Sequence, residues 1–183
     1  MKHDIPLWQF GGFVFTSLVG TLLHFLYEWT NNALLVSPVS GVNESTWEHI
    51  KLLFFPLAIF ALIQSRFLGD IPSFWQTKFC GALLGILLIP VLFYTYNGAF
   101  GQSPDWLNIA FFFVAAAVVF LWETPRLQAG AAPLLPAGVA IAGLIILGAL
   151  FITFTFAPPH LPLFRDPING TYGIAALNFE KQK

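Results

Sequence analysis

The sequence predicts an all-α membrane protein, a single polytopic bundle of about five transmembrane helices. The 183 residues are 57% hydrophobic and only 9% charged, whereas a soluble domain usually carries about 25% charged residues. Five segments are also largely apolar over about 20 residues, the length that a helix needs to cross a bilayer. Because a surface that faces water would need more charged residues than this chain has, we expect the helices to lie in lipid.

The five predicted spans account for most of the chain. The first apolar run, which begins at Leu7, is too long for a signal peptide and has no small-residue cleavage site after it, so we interpret it as a retained span. In chain order the predicted spans are residues 6–29, 46–67, 74–98, 105–123 and 135–157. They form a bundle over residues 1–157, and an extracytoplasmic tail follows over residues 158–183.

Helix-breaking residues separate the spans. The segment "LGDIP" (68–72) is typical of a turn because glycine and Asp-x-Pro interrupt helices. Before the fourth span, Ser103 is a predicted N-cap and Pro104 the predicted first helical residue. The Pro/Gly-rich segment "TPRLQAGAAPLLP" (124–136) is predicted to connect the last two spans.

The distribution of Lys and Arg favours a cytoplasmic N-terminus and an extracytoplasmic C-terminus. The loops at 30–45 and 99–104 contain neither residue, and Lys51, one turn into the second span, is expected to snorkel outward. The cationic residues of the tail argue mildly for the reverse, a cytoplasmic C-terminus. The cationic residues on the predicted cytoplasmic side are Lys2, Arg66, Lys78 and Arg126, and those of the tail are Arg165, Lys181 and Lys183.

Three of the four histidines and most of the acidic residues outside loops then gather at the predicted outer end of the bundle, with several other polar residues. They come from the last turns of the first and third helices, the first turns of the second and fourth, and the segment after the fifth. The residues are His24, Glu28, Glu44, Glu48, His49, Tyr94, Tyr96, Asn97, Asp105, Asn108, His160, Asp166 and Asn169. At the opposite end, Glu123 and Arg126 are expected to pair with each other.

The first helix shows how two of these groups should be oriented. Gly12, Thr16, Gly20, His24 and Glu28 recur every four residues and so follow one slowly turning row. Small residues on such a row allow close helix packing in lipid, which predicts that His24 and Glu28 face the bundle. Ionisable groups in a span usually have partners or a function. The candidate partners are His49, Lys51 and His160.

The start of the second helix has a structural explanation for part of its polarity. Ser45 and Glu48 match the capping box, in which the serine side chain bonds one backbone N–H and the glutamate reaches back to another. Glu44 would favour the same positive end of the helix. Capping leaves His49 unexplained, together with His24 and Glu28.

These unexplained residues support two classes of function. In the first class, the polar residues form the site of a metal-dependent hydrolase or ligand-binding protein. Its candidate catalytic residues are His24, Glu28, Glu48 and His49. The candidate metal ligands, with zinc as the candidate ion, are His24, Glu28, His49 and His160. No HExxH or HxxxH pattern is present.

In the other class, the same residues form only an interhelical network of a structural or accessory subunit, within a membrane protein complex or a homo-oligomer. A transporter is less well supported because its acids should lie at several depths. The net charge of −1 gives no basic surface for nucleic acid, which leaves the lipid bilayer as the expected partner.

The tail "APPHLPLFRDPINGTYG" (157–173) also has two interpretations. Its Pro, Gly and Asp/Asn content is typical of a simple extension from the last helix. Alternatively, it folds back as a lid over the polar end of the bundle and brings His160 and Asp166 to the site.

The motif "NESTWEHIK" (43–51), followed by "LLFFP" and preceded by "HFLYEW" (24–29), resembles a family of small bacterial multi-pass membrane proteins of unknown function. The resemblance implies a bacterial inner-membrane protein with several spans, and it implies no activity or catalytic residues. The residue types alone are similar to those of alkaline-ceramidase-type zinc hydrolases, which place several histidines and an acid at helix ends.

Overall fold

The computed structural model describes residues 4–174, and this part of the chain contains five long helices. Their lengths of 20 to 27 residues correspond to about 30–40 Å, and all five are long and apolar enough to cross a membrane. The predicted all-α, five-helix fold is therefore confirmed. The helices are α1 (Ile5–Trp29), α2 (Thr46–Leu68), α3 (Phe74–Phe100), α4 (Asp105–Ala129) and α5 (Ala137–Phe156).

Four of the helices form a ring, and the fifth packs outside it. Helix α1 contacts α2 and α4, and α3 contacts the same two helices from the other side, while α5 lies against α3 and α2. Aliphatic and aromatic side chains such as Leu53 and Val119 fill the centre and are fully buried. Consecutive helices run in opposite directions, so α1 and α3 end where α2 and α4 begin. We call this the site end, and the other the opposite end.

The small residues of α1 pack as the sequence predicts. Thr16 is fully buried, and a Cβ atom added at Gly12 would collide with the ring of Phe120. At Gly20 an added Cβ would lie 2.9 Å from the backbone carbonyl oxygen of Leu52, closer than atoms can approach. These positions let α1 lie directly against α2 and α4.

Helix α4 begins at the predicted residue 105 and extends beyond the predicted end of the fourth span at residue 123. The helix continues through Pro125 to Ala129 and stops at Gly130, which has the left-handed φ of 56°. Near the proline, the Thr124 hydroxyl donates to the Phe120 carbonyl oxygen at 2.7 Å, and the Arg126 guanidinium donates to the Trp122 carbonyl oxygen at 2.8 Å. These two carbonyls flank that of Leu121, which loses its helical partner because Pro125 has no N–H. The two side-chain bonds therefore supplement the helix on either side of the break.

Ser103 does not cap α4, because Pro104 occupies the N-cap position. The Ser103 hydroxyl donates to Asn108 Oδ1 at 2.7 Å, and its backbone N–H donates to Asn97 Oδ1 at 2.8 Å. Ser103 therefore joins the end of α3 to the start of α4 at the site end.

At the opposite end, one polar side chain from each helix of the ring enters a buried network. Glu123 accepts hydrogen bonds from Lys78 Nζ at 2.5 Å and from Gln9 Nε2 at 2.8 Å. Gln9 Oε1 in turn accepts from Gln64 Nε2 at 2.9 Å. All four side chains are at most 5% exposed, so this network fixes how the four helices approach one another.

The predicted pairing of Glu123 with Arg126 is wrong. Glu123 points into the bundle, where Lys78 neutralises it, while Arg126 is exposed and stacks 3.6 Å from the centre of the Trp122 ring. Because Lys78 is paired and buried, it adds no free charge to the orientation argument. Lys2, Lys181 and Lys183 lie outside the described residues. Of the exposed arginines, Arg66 and Arg126 lie at the opposite end and Arg165 at the site end, so the orientation remains a prediction.

We predict that Lys78→Met lowers the free energy of unfolding by about 3–5 kcal/mol, because Glu123 would stay buried without its cation. Unfolding of the purified protein in mixed detergent micelles measures this change. Arg126→Met is the matched control and should change stability by no more than about 0.5 kcal/mol. Equal destabilisation by both variants would contradict the observed pairing.

Candidate metal centre and adjoining pockets

The loop between α1 and α2 folds back onto the end of α1. It turns at Asn31 and Asn32, which have left-handed φ values of 53° and 60°, a conformation that asparagine tolerates better than most residues. Further along, the backbone N–H of Gly41 donates to the carbonyl oxygen of Leu23 at 3.2 Å. This contact brings the loop alongside His24.

A buried ion pair holds the loop in this position. Lys51 is fully buried and lies 2.6 Å from Glu48. Its ammonium group also donates to the Ser37 carbonyl oxygen at 3.0 Å and to the Thr155 hydroxyl at 2.9 Å. The pair therefore joins the loop, the start of α2 and the end of α5. The expectation that Lys51 snorkels outward is wrong, because its partners lie inside the protein.

The capping box at Ser45 is only half formed. The Ser45 hydroxyl accepts from the backbone N–H of Glu48 at 3.4 Å, as predicted. The Glu48 carboxylate does not return to Ser45, because it accepts from the backbone N–H of Val42 at 3.1 Å and pairs with Lys51. The Ser45 N–H instead donates to Asn43 Oδ1 at 2.9 Å.

The folded loop places Glu44 between two histidines of different helices. One carboxylate oxygen of Glu44 lies 3.8 Å from His24 Nε2, and the other lies 3.6 Å from His49 Nε2. One potential ligand atom from each of the three residues lies within 4.8 Å of the others. We call these three residues the His/Glu cluster.

The backbone fixes the orientation of one of these ligands. His49 Nδ1 lies 3.0 Å from the carbonyl oxygen of Ser45, so the tautomer that donates this hydrogen bond leaves Nε2 free with its lone pair toward Glu44. Metal-ligating histidines typically donate their second ring N–H to a carbonyl or carboxylate in this way. In that tautomer, His49 could offer Nε2 to a metal ion.

The donor set suits a transition metal. Four-coordinate zinc with bonds of about 2.1 Å has neighbouring ligands about 3.4 Å apart. The two N–O separations, each to a different oxygen of Glu44, are 3.8 and 3.6 Å, and one ligand atom from each residue lies within 4.8 Å of the others. Those separations are also too long for direct hydrogen bonds. Two imidazoles and one carboxylate are a common ligand set for catalytic zinc and for non-haem iron. The cluster can thus hold a metal ion with coordination positions to spare.

The remaining predicted site residues lie outside the His/Glu cluster. Glu28 is exposed, although it lines a pocket that His24 and Glu44 also line. His160 is exposed, and its ring packs 4.7 Å from that of Tyr172. Glu48 is sealed in the pair with Lys51. Glu44 was not predicted as a ligand, because its position near a helix start already has an electrostatic explanation.

Two pockets meet at the cluster. The smaller, of about 350 Å³, contains Glu28 and Asp166, and the larger, of about 780 Å³, opens between the four ring helices. We call the larger one the interhelical pocket. His24, Glu44 and Ile168 line both pockets, and the other residues of the interhelical pocket are Thr46, His49, Ile89, Phe93, Asn97, Gln102, Ser103, Asn108, Ile109, Phe111, Phe112 and Pro167.

The segment after α5 folds back over the site end. Phe164, in the short 3-10 helix Pro162–Phe164, packs 4.6 Å from the ring of Trp47 at the start of α2. Asp166 is only 3% exposed and accepts a hydrogen bond from the backbone N–H of Glu44 at 3.3 Å. Of the two tail residues predicted to reach the site, the fold brings Asp166 there and leaves His160 outside. The predicted tail beyond residue 174 lies outside the described residues.

Five helices that are long and apolar enough to cross a membrane are compatible with an integral membrane protein. The chain belongs to the family of unknown function DUF6512, whose model matches residues 2–174. No curated protein and no solved structure matches the chain. The predicted membership of an unknown-function family is thus confirmed, while the role of the motif at 43–51 and a bacterial source remain predictions.

We predict that Thr155→Val lowers the free energy of unfolding by about 1–3 kcal/mol, because the buried Lys51 ammonium would lose one hydrogen-bond acceptor. Thr153→Val, at an exposed position of the same helix, is the matched control and should be nearly neutral. Chemical unfolding in detergent compares the two variants. A neutral Thr155→Val would mean that Lys51 does not depend on α5.

Proposed function

We propose that this integral membrane protein binds one divalent transition-metal ion through the His/Glu cluster and exposes that ion to a ligand in the interhelical pocket. The observation that carries the proposal is the position of Glu44, whose two oxygens each face the Nε2 atom of a different histidine at 3.6–3.8 Å. A hydrogen-bonded triad would be shorter by more than about 0.5 Å, and a shared ion explains the gap.

Zinc is the first candidate, and iron(II) the second, because both accept two imidazoles and a carboxylate. When bound, such an ion supplies Lewis acidity and can lower the pKa of a coordinated water. The protein contributes the orientation of His49 through Ser45, and a cavity beside the ligands. These features favour a metal-dependent hydrolase or a ligand-binding protein over a purely structural metal site, which would use all coordination positions.

The second candidate is a structural subunit of a membrane protein complex or homo-oligomer. It is favoured by the two buried networks, around Lys51 and around Lys78, because both join helices and none of their charged side chains lines either pocket at the His/Glu cluster. In that account the His/Glu cluster only connects α1 to α2. Substitutions in the cluster would then reduce thermal stability without changing metal content.

The proposed orientation, from Arg66 and Arg126, directs the site end to the extracytoplasmic side of a bacterial inner membrane. A ligand would then reach the metal from outside the cell or from the outer leaflet.

We predict about one zinc or iron ion per chain after purification in mild detergent without a histidine tag. Loss of one of the three ligands should reduce the affinity for the ion. We therefore expect at least tenfold less bound metal in each of three variants: His24→Ala, Glu44→Gln and His49→Ala. Elemental mass spectrometry measures the stoichiometry.

Glu28→Gln and His160→Ala are the matched controls and should retain the full metal content, since neither side chain belongs to the cluster. Thermal unfolding of all five variants separates lost metal from lost fold. Absence of metal from the wild-type protein, both as purified and after incubation with zinc, would refute the proposal and favour the structural subunit.

A further inference from the structure

We infer that the interhelical pocket binds a single-chain amphiphile with a carboxylate head group, the carboxylate at the His/Glu cluster and the chain between the ring helices. The inference rests on the proposed function, because the bound metal supplies the charge that attracts the head group. It is carried by the polarity of the pocket walls along the bundle axis and by the charges around its mouth.

The wall formed by α3 changes from polar to apolar with depth. Asn97 lies near the site end of α3, Phe93 lies one turn deeper and Ile89 two turns deeper, and all three line the pocket. Eight residues of helix correspond to about 12 Å along the axis. A ligand that follows this wall therefore meets an amide first and only hydrocarbon below it.

The wall formed by α4 has the same gradient. Asn108, in the first turn, holds its side-chain oxygen against the Ser103 hydroxyl, and Phe111 and Phe112 line the pocket about one turn deeper. The cluster residues His24 and His49 lie on the opposing helices, near the polar level. The pocket thus has a polar mouth with ligating groups and an apolar interior, and its volume of about 780 Å³ suits a drug-sized molecule.

The charge around the mouth determines the head group. Among the residues that line the interhelical pocket, Glu44 alone has a full formal charge, and with a divalent ion bound the cluster has a net charge of about +1. Glu28 and Asp166 lie in the adjoining smaller pocket, and the cation of Arg165 lies on the neighbouring surface beside Asp166. Lys51 cannot contribute, because it is buried against Glu48. A monoanionic carboxylate complements this charge, and a free coordination position would accept its oxygen. Without the ion the mouth is acidic and should repel the same ligand.

The test uses dodecanoate as the probe and native mass spectrometry of the zinc-loaded, full-length protein in detergent as the readout. We expect one dodecanoate per chain, and at least tenfold less binding after the metal is removed with EDTA, in line with the strength of interactions with charged groups. Dodecanol has the same chain without the charge and should show no dependence on zinc. Dodecyl phosphate should bind more weakly than dodecanoate.

Variants of α3 separate the pocket from the lipid-facing surface. Ile89→Trp should fill the apolar interior and reduce dodecanoate binding at least tenfold while one metal ion per chain is retained. Val91→Trp, on a surface that is 56% exposed, is the matched control and should bind normally. Should Ile89→Trp fail to fold, Phe93→Trp introduces a smaller obstruction at a half-buried position.

The outcomes distinguish this inference from the proposed function. A protein that binds metal but holds dodecanoate equally well with EDTA, or equally well as Ile89→Trp, refutes the inference and leaves the metal site standing. Preference for dodecyl phosphate refutes the carboxylate. A protein that binds no metal refutes both proposals.

Discussion

The ion pair of Glu48 and Lys51 determines the geometry of the site end. Removing two charges from water costs several kcal/mol for each ion, and the cost is recovered only where every remaining donor and acceptor is satisfied. Here Ser37, Val42 and Thr155 satisfy them, and these residues belong to the α1–α2 loop and to α5. The loop can therefore not leave α2 without exposing a buried charge. Because Glu44 lies in the last residues of that loop, the ion pair also holds Glu44 between His24 and His49.

The opposite end follows the same physical rule with different residues. Lys78 and Glu123 neutralise each other, while Gln9 and Gln64 complete their hydrogen bonds across the ring. An unpaired charge in a transmembrane helix costs about 2.5–3.5 kcal/mol on insertion scales, so pairing within the bundle explains how α3 and α4 tolerate Lys78 and Glu123. The His/Glu cluster differs from both networks. Its side chains are half-buried, its polar atoms stand farther apart than hydrogen bonds, and it adjoins two pockets.

The sequence predicted the helices well because apolar length is a local property, and the bundle-facing row of Gly12, Thr16 and Gly20 follows from helical periodicity alone. The prediction failed for side chains that could pair either with a neighbour in sequence or with a residue of another helix. Glu123 lies three residues from Arg126, yet it bonds to Lys78, because the direction of its side chain depends on how α3 packs against α4. Glu44 was missed for a related reason. Its position relative to His24 is set by the fold of the loop, for which the sequence around 30–45 has no periodic signal.

X-ray absorption at the zinc edge of the zinc-loaded protein tests the central claim most directly, since it reports the atoms that surround the ion. The account predicts four- or five-coordinate zinc with two imidazole nitrogens at about 2.0–2.1 Å and at least one carboxylate oxygen at about 2.0–2.2 Å. His49→Ala should remove one imidazole from that shell. A shell of oxygen atoms without imidazole, or one unchanged in His49→Ala, would contradict the assignment of His24, Glu44 and His49 as the metal centre.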